Sequence, residues 1–250
     1  MSIERNKIYL ADAYKKIKEL KSKSIDCIYT DIPYLFESGG GGSSELALRI
    51  HKNKKVDLAD IDSGIDYAIF DDFLRVMKKV NLFIWCSKLQ IQDILNWWLK
   101  VPNITFEVLV WCKLNPTPQT NNVWLPDIEY CLYFREKGVK LNEGYDYKSK
   151  WYVSGINQKD KAIYNHPSIK PFELVKRHLL HATQKDNLIL NPFIGSGTTA
   201  EASKVIGRDY IGFENDEAWY QVAIDRLDGI TAKEREAGII QQTLFDYKEI

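Results

Sequence analysis

The sequence predicts an α/β protein built on one mixed sheet of seven strands, with helices on the faces of the sheet. Short runs rich in β-branched and aromatic residues alternate with segments of helical periodicity along most of the 250 residues. A glycine-rich turn also joins one apolar run to a helical segment, as it does in nucleotide-binding folds. The composition, 45% hydrophobic and 12% aromatic, is sufficient for a single well-packed core.

The elements can be assigned in order along the chain. Apolar runs predict strands near residues 7–10, 25–30, 81–86, 104–112, 128–134, 187–191 and 209–214. Helical periodicity predicts helices near residues 12–20, 66–79, 88–99, 171–182, 198–206 and 215–229. We therefore expect one domain over residues 1–230, with insertions near 35–65 and 135–165, and a C-terminal tail over residues 231–250.

Charge, cysteine content and the N-terminus limit the setting of the protein. Lys plus Arg (34) equals Asp plus Glu (34), so any basic surface that binds nucleic acid must be local. The four cysteines form no CxxC pair, and we expect no metal site. The N-terminal stretch lacks the apolar segment of a signal peptide and no run reaches the length of a membrane span, so we expect a cytoplasmic protein.

The strongest local motif surrounds Gly195 and Gly197. A predicted strand ends at Asn191, turns through these two glycines and enters a helix near Thr198, whose first backbone N–H groups can bind the anionic part of a ligand. Glu214 follows about 20 residues later at the end of the next strand, where a carboxylate can accept hydrogen bonds from a ribose. The pattern fits a dinucleotide and S-adenosylmethionine equally, because both carry adenosine.

The position of this motif in the chain indicates a circularly permuted sheet. In a dinucleotide-binding domain the motif usually opens the fold, whereas here only one further strand and helix follow Gly197. The other strands must come from upstream. We therefore expect the strand that ends at Asp31 to lie beside the strand that ends at Asn191, where ligands bind at a topological switch point.

Four motifs in this order carry a resemblance to a known family: TDIPY at 30–34, HPSIKP at 166–171, NPFIGSGTT at 191–199 and GFEN at 212–215. They resemble the β-class of amino-group DNA methyltransferases, in which a D-P-P-Y motif precedes an F-x-G-x-G motif. The resemblance covers most of 7–34 and 81–229. It implies a Rossmann-like fold and transfer of a methyl group from S-adenosylmethionine to N6 of adenine in double-stranded DNA, after the base is flipped out of the helix.

The resemblance also implies the site residues. Asp31, Ile32, Pro33 and Tyr34 form the catalytic set: the Asp31 carboxylate and the Ile32 carbonyl accept hydrogen bonds from the target amino group, and Tyr34 stacks on the base. Ile32 stands where proline is common, but Pro33 still keeps residue 32 extended and its carbonyl available. The cofactor set comprises Asp12, Lys170, Asn191, Phe193, Gly195, Gly197, Thr198, Thr199, Glu214 and Asn215.

Two members of the cofactor set have a second interpretation or depart from the family. Asp12 is equally interpretable as the N-cap of a helix and as a contact to the adenine of the cofactor. Asn191 occupies the place of a frequent aspartate, so its contact to the methionine amino group would be neutral.

Basic and apolar residues outside the motifs are candidates for partner contacts. The DNA-binding candidates are Arg49, Lys52, Lys54 and Lys55, after the four glycines at 39–42, and Lys148 and Lys150 in the second insertion; a solvated surface is the simpler interpretation of each group. In the tail, Gln241, Leu244 and Phe245 resemble the Q-x-x-L-F peptide that docks on sliding clamps. Alternatively, Leu244 and Phe245 cover the protein's own sheet or a partner in a homodimer.

Other functions stay open at this stage. An N4-cytosine DNA methyltransferase is the nearest alternative, and adenine is favoured because the aspartate form of the catalytic motif is commonly associated with it. A nicotinamide-dependent oxidoreductase would use the same glycine-rich turn, and a non-catalytic nucleic-acid-binding module needs no site chemistry. A C5-cytosine enzyme is disfavoured, because none of the four cysteines follows a proline. A metal-dependent nuclease is disfavoured too, since the E-x-K spacing is missing.

Overall fold

The computed structural model describes residues 3–35, 64–118, 122, 124–144, 148–156, 158–164 and 169–231, which form a sheet with helices packed against it. The strands are β1 (Lys7–Leu10), β2 (Cys27–Asp31), β3 (Asn81–Cys86), β4 (Ile104–Lys113), β5 (Ile128–Glu136), β6 (Trp151–Ser154), β7 (Leu188–Asn191) and β8 (Asp209–Glu214). The helices are α1 (Ala13–Lys16), continued by a 3-10 turn (Ile17–Glu19), α2 (Ile69–Val76), α3 (Ile91–Trp98), α4 (Gln158–Tyr164), α5 (Phe172–Ala182), α6 (Thr198–Val205) and α7 (Glu217–Asp228). Across these ranges, no helix is long and apolar enough to span a membrane.

The strands form one mixed sheet in the order β1-β8-β7-β2-β3-β5-β4-β6. β5 runs antiparallel to both of its neighbours, β3 and β4, and the other adjacent pairs are parallel. The α/β class and the mixed sheet are confirmed. The seven-strand prediction is wrong, because β6 adds an eighth strand at the edge. Only four residues long and alternately exposed, β6 lacks the apolar run that marks the other strands.

The predicted permutation of the sheet is confirmed at its centre. β2 lies beside β7 in parallel, with Cys27 opposite Ile189 and Ile28 opposite Leu190. From this pair the chain continues in opposite directions, since β7 leads to β8 on one side and β2 leads to β3 on the other. The carboxyl ends of these strands therefore surround a crevice at the topological switch point.

The core fills both faces of the central strands. Along β3, Leu82 and Ile84 contribute to the core under α2 and α3, whereas Phe83 and Trp85 point to the opposite face, which α5 covers. This alternation follows from the two-residue period of a strand, and β3 is buried on both sides. The same period sends Trp85 to the α5 face at the carboxyl end of β3, beside the crevice.

Candidate active site

The carboxyl ends of five parallel strands enclose one cleft. It has a volume of about 480 Å³ and is lined by residues at or just after the ends of β1, β2, β3, β7 and β8, together with Lys170 from the segment before α5 and Val175 from α5. Its size is within the range of small-molecule sites in proteins. The predicted catalytic residues all line it, and so do the predicted cofactor residues with the exception of Gly197. The fold thus brings residues 31–34 and the glycine-rich turn, which are far apart in sequence, into one site.

The glycine-rich turn and Glu214 form one wall of the cleft. The N–H of Gly195, a residue with a φ of 53°, donates to Oε2 of Glu214 at 3.0 Å. Oε1 of Glu214 accepts from the backbone N–H groups of Asn215 and Asp216, both at 3.0 Å. Burial raises the pKa of Glu214, and these three N–H groups oppose that rise. The carboxylate is therefore fixed against the turn at the end of β8.

Gly197 serves packing between helices. It has a φ of 79°, and a Cβ at this position would lie 3.0 Å from Cα of Ala223 on α7. A side chain would therefore collide with the backbone of α7 and would also strain the turn. The requirement for glycine here comes from the approach of α6 to α7.

Two polar side chains of the cofactor set also shape the backbone. Asn191 is buried, donates to Oγ1 of Thr199 at 3.0 Å and accepts from the N–H of Phe193 at 3.1 Å. Asp12 accepts from the N–H of Tyr14 at 2.8 Å as the N-cap of α1, and it lines the cleft as well. Capping and a ligand contact are thus compatible for Asp12.

The opposite wall carries the catalytic candidates and a buried lysine. The ammonium of Lys170 forms an ion pair with Oδ2 of Asp31 and a second one, at 2.9 Å, with Oε2 of Glu129. It also donates to the hydroxyl of Tyr34 at 3.3 Å. The other oxygen of Asp31, Oδ1, is buried and accepts no hydrogen bond from the described residues. Lys170, predicted at the cofactor, therefore contacts Asp31, the predicted catalytic aspartate.

The charges of this wall are strongly coupled. Burial raises the pKa of Asp31, and the neighbouring Lys170 opposes that rise. Burial lowers the pKa of Lys170, but Asp31 and Glu129 together raise it above its ordinary value. Burial also raises the pKa of Glu129, whereas Lys170 and Lys113 lower it to about 2. These pKa shifts favour the ammonium form of Lys170 and the ionised form of Glu129.

The backbone of the catalytic loop is fixed on both sides of the Ile32 carbonyl. The N–H of Ile32 donates to the carbonyl of Trp85 at 3.2 Å, a hydrogen bond that a proline at this position could not make. The carbonyl of Pro33 accepts from Nε2 of Gln90 at 2.8 Å, and Oε1 of Gln90 accepts from the N–H of Ser87 at 3.0 Å. The departure from the family motif thus adds a contact between β2 and β3.

Two aromatic residues of the cleft were missed by the motif analysis. Trp85 donates its Nε1–H to the hydroxyl of Tyr29 at 2.9 Å, and that hydroxyl lies 3.3 Å from Nδ1 of His178. Burial, followed by repulsion from Arg177, lowers the pKa of His178 to about 3, so the imidazole beside the Tyr29 hydroxyl is neutral. In the sequence, the position of Tyr29 and Trp85 near the ends of apolar strands was the one feature that could have indicated their place in the cleft.

Of the predicted DNA-binding residues, the two that the structure describes, Lys148 and Lys150, do not line the cleft. Lys148 and Lys150 precede β6, at the end of that strand away from the cleft, and Lys150 pairs with Glu107 at 2.5 Å. Arg49, Lys52, Lys54 and Lys55 lie outside the described residues, as do the glycines at 39–42 and the tail residues Gln241, Leu244 and Phe245. Within the described ranges, no group of three or more His, Cys, Asp or Glu side chains is arranged to hold a metal ion.

Comparison with known sequences finds one matching family and several relatives of similar length. The model of a family described as DNA methylase matches residues 25–225. The Type II methyltransferase M2.LlaDCHI of Lactococcus lactis subsp. cremoris is 28% identical over 241 residues, which cover 87% of each chain. The Type II methyltransferase M2.DpnII of Streptococcus pneumoniae is 28% identical over 249 residues, which cover 90% of this chain and 91% of the relative.

Solved structures share the fold. The crystal structure of an M1.HpyAVI–SAM complex matches with a TM-score of 0.65 and 25% identity, over 88% of this chain and 99% of the other. The cytosine-N4-specific PvuII DNA methyltransferase matches with a TM-score of 0.68 over 95% of this chain and 92% of the other. At 14% identity, this second likeness concerns the fold alone.

Proposed function

The chain belongs to the DNA methylase family, and on this premise we propose that it methylates N6 of adenine at a specific sequence in double-stranded DNA. The methyl donor is S-adenosylmethionine. The observation that carries the proposal is Asp31, whose partly exposed carboxylate lines the same cleft as the glycine-rich turn. An acceptor in this position suits an incoming amino group.

The residues of the cleft fit S-adenosylmethionine. Glu214 ends β8 with a half-buried carboxylate that can accept from the ribose hydroxyls, and Asp12 lines the cleft after β1. Gly195, with no Cβ, allows a ligand to approach the backbone of the turn closely. When bound, S-adenosylmethionine supplies an electrophilic methyl group on a positively charged sulfur. The cleft volume of about 480 Å³ is adequate for a ligand of this class.

Asp31 and Ile32 activate the target nitrogen in this proposal. The lone pair of an exocyclic amino group is delocalised into the ring, which makes the nitrogen a poor nucleophile. The carboxylate of Asp31 and the carbonyl of Ile32 each accept one N–H of that group, which localises the lone pair and directs it into the cleft. The hydrogen bonds at Ile32 N–H and at the Pro33 carbonyl hold this acceptor pair in position.

Tyr34 and the surrounding aromatic residues receive the flipped base. Tyr34 lies beside Asp31 in the cleft, and the ammonium of Lys170 is 5.5 Å from the centre of its ring. A ring at this point can stack on a base that has left the duplex. Because the contact between Lys170 and Tyr34 fixes the hydroxyl end of the side chain, the ring is held ready for stacking.

The choice of adenine over cytosine rests on the aspartate form of the catalytic motif at Asp31. It is tested by incubating the protein with S-adenosylmethionine and mixed-sequence DNA and then measuring methylated nucleosides by mass spectrometry. N6-methyladenine is the expected product. N4-methylcytosine would replace the adenine assignment with the alternative, and the absence of any methylated base would refute the proposed function.

Two further parts of the proposal concern the biological role of the enzyme and a protein partner of its tail. The likeness to Type II methyltransferases supports a role in a restriction-modification system. The Q-x-x-L-F pattern at Gln241, Leu244 and Phe245 supports docking of the tail on a sliding clamp, with a contact to a second copy of the chain as the alternative. A peptide of residues 236–250 should bind a bacterial clamp and lose that binding when Leu244 and Phe245 are both changed to Ala. No binding of the unchanged peptide would refute clamp docking.

A further inference from the structure

Four charged side chains of alternating sign form a row along the rim of the sheet. Asp31 ends β2, Glu129 lies at the start of β5 and Lys113 ends β4, while Lys170 comes from the segment before α5. The distances are 2.9 Å from Lys170 Nζ to Glu129 Oε2 and 2.7 Å from Lys113 Nζ to Glu129 Oε1, and Lys170 also pairs with Asp31. Because β3 lies between β2 and β5, Lys170 bridges two strands that are not neighbours.

Glu129 and Lys113 have no direct place in the catalytic set. Neither is among the residues that line the cleft, and their side chains are only 17% and 16% exposed. A buried ion pair is a weak source of stability, since the cost of removing both charges from water offsets much of their attraction. Stability therefore does not account for Glu129. Its second partner, Lys170, also forms an ion pair with Asp31.

We propose that Glu129 and Lys113 are positioning residues for methyl transfer: they hold the ammonium of Lys170 on Oδ2 of Asp31, and the ammonium in turn fixes the orientation in which the carboxylate accepts the hydrogen bond of the target amino group. The proposal rests on the proposed function, because it assigns a purpose to the orientation of the Asp31 carboxylate. Lys113 acts one step further away, by holding Oε1 of Glu129 while Oε2 faces Lys170.

The physical reason lies in the nature of a lysine side chain. Its ammonium is a compact charge on a flexible stem, and a single carboxylate does not fix its position. With Glu129 in place, two carboxylates attract Lys170, whose ammonium lies 5.2 Å from the centre of the Trp85 ring. Without the pull of Glu129, the ammonium is no longer held in one place, and the Asp31 carboxylate loses its fixed orientation. The target amino group then meets a misplaced acceptor.

The test is the variant Glu129→Gln, which removes the charge and keeps the shape. The rate of a single turnover, followed by transfer of tritium from labelled S-adenosylmethionine to DNA, should fall about 10- to 100-fold, the scale expected from small misplacement of reacting groups. The dissociation constant for S-adenosylmethionine, measured by calorimetry, and the KM for DNA should stay unchanged. Glu107→Gln is the matched control, because Glu107 pairs with Lys150 on the exposed part of β4 and should retain the wild-type rate.

Two further variants keep the test decisive if Glu129→Gln folds poorly. Lys113→Gln should slow the turnover as well, and Lys113→Arg, which restores the positive charge, should recover most of the rate.

A double variant tests whether Glu129 acts through Lys170. In a Lys170→Met background, Glu129→Gln should have no additional effect on the rate.

Three results would overturn the inference: a wild-type rate in Glu129→Gln, multiplied effects in the double variant with Lys170→Met, or an equal loss of cofactor binding. The wild-type enzyme is measured in the same assay. Failure of the proposed function would appear there as an absence of wild-type transfer, whereas failure of this inference would appear as wild-type transfer that the loss of the Glu129 charge leaves unaffected.

Discussion

Replacement of Gln90 by Leu should slow methyl transfer without weakening the binding of S-adenosylmethionine. Gln90 is 1% exposed, and its amide joins the Pro33 carbonyl to the Ser87 N–H at the end of β3. Leucine has a similar size and forms neither hydrogen bond. The change therefore releases the loop that presents Asp31 and Ile32, while the glycine-rich turn on the opposite wall is untouched.

The expected loss of rate follows from the two backbone groups, the Pro33 carbonyl and the Ser87 N–H, that Gln90→Leu leaves without a hydrogen bond. A buried polar group without a partner costs about 1 to 3 kcal/mol, and the Pro33 carbonyl is the one that acts on the catalytic loop. If that cost falls on the reactive conformation of the loop, the rate of methyl transfer drops about 5- to 150-fold. The Ser87 N–H adds a similar cost to the stability of the fold.

The assay compares single-turnover methyl transfer to DNA with calorimetric binding of S-adenosylmethionine. Gln92→Leu is the control, because Gln92 is exposed on the same helix, α3, and should transfer at the wild-type rate. A wild-type rate in Gln90→Leu would refute the reasoning that this side chain positions the loop. A cofactor affinity that falls as much as the rate would refute it as well.

Three further changes probe the rest of the site and the core. Glu214→Ala should weaken S-adenosylmethionine about 10-fold or more, because it removes a charged acceptor; an unchanged calorimetric dissociation constant would exclude that role. Gly197→Ala should destabilise the fold by about 1 to 3 kcal/mol, because the new Cβ meets the backbone of Ala223 at a φ of 79°; an unchanged denaturant midpoint would contradict this. Burial depresses the pKa of His178 from 6.5 to about 3, so the unfolded chain takes up a proton over that range that the folded chain does not. Stability should therefore fall with acidification by up to about 1.4 kcal/mol per pH unit from this group, and denaturation of His178→Asn should show a shallower dependence; equal slopes would refute the assignment.

Local patterns in the sequence predicted the strands of the sheet and the sides of the cleft. Asp31 and Gly195 were found because each follows an apolar run at a strand end, where parallel strands present ligand-binding groups. The adjacency of β2 and β7 followed from the order of the motifs, and it is confirmed. The strand ends depend on neighbours in the chain, which a sequence displays directly, whereas the adjacency of β2 and β7 depended on the order of motifs that are far apart.

Features that depend on distant partners were missed. Glu129 is the second residue of β5, and nothing near it in the sequence indicates that Lys113 and Lys170 flank it. Gly197 was predicted at the cofactor from its motif, and this stays a prediction; the sequence did not indicate the close approach of Ala223, which is a second reason for glycine there. The edge strand β6 was missed because an exposed four-residue strand carries too weak a period.

The central claim, that Asp31 holds the target amino group in a DNA methyltransferase, is tested most directly by Asp31→Asn. The variant keeps the shape of the side chain but replaces one carboxylate oxygen with a donor and removes the charge that Lys170 contacts. We expect transfer of tritium from S-adenosylmethionine to DNA to be abolished, with the dissociation constant for S-adenosylmethionine close to that of the wild type. Turnover near the wild-type rate in Asp31→Asn would contradict the account.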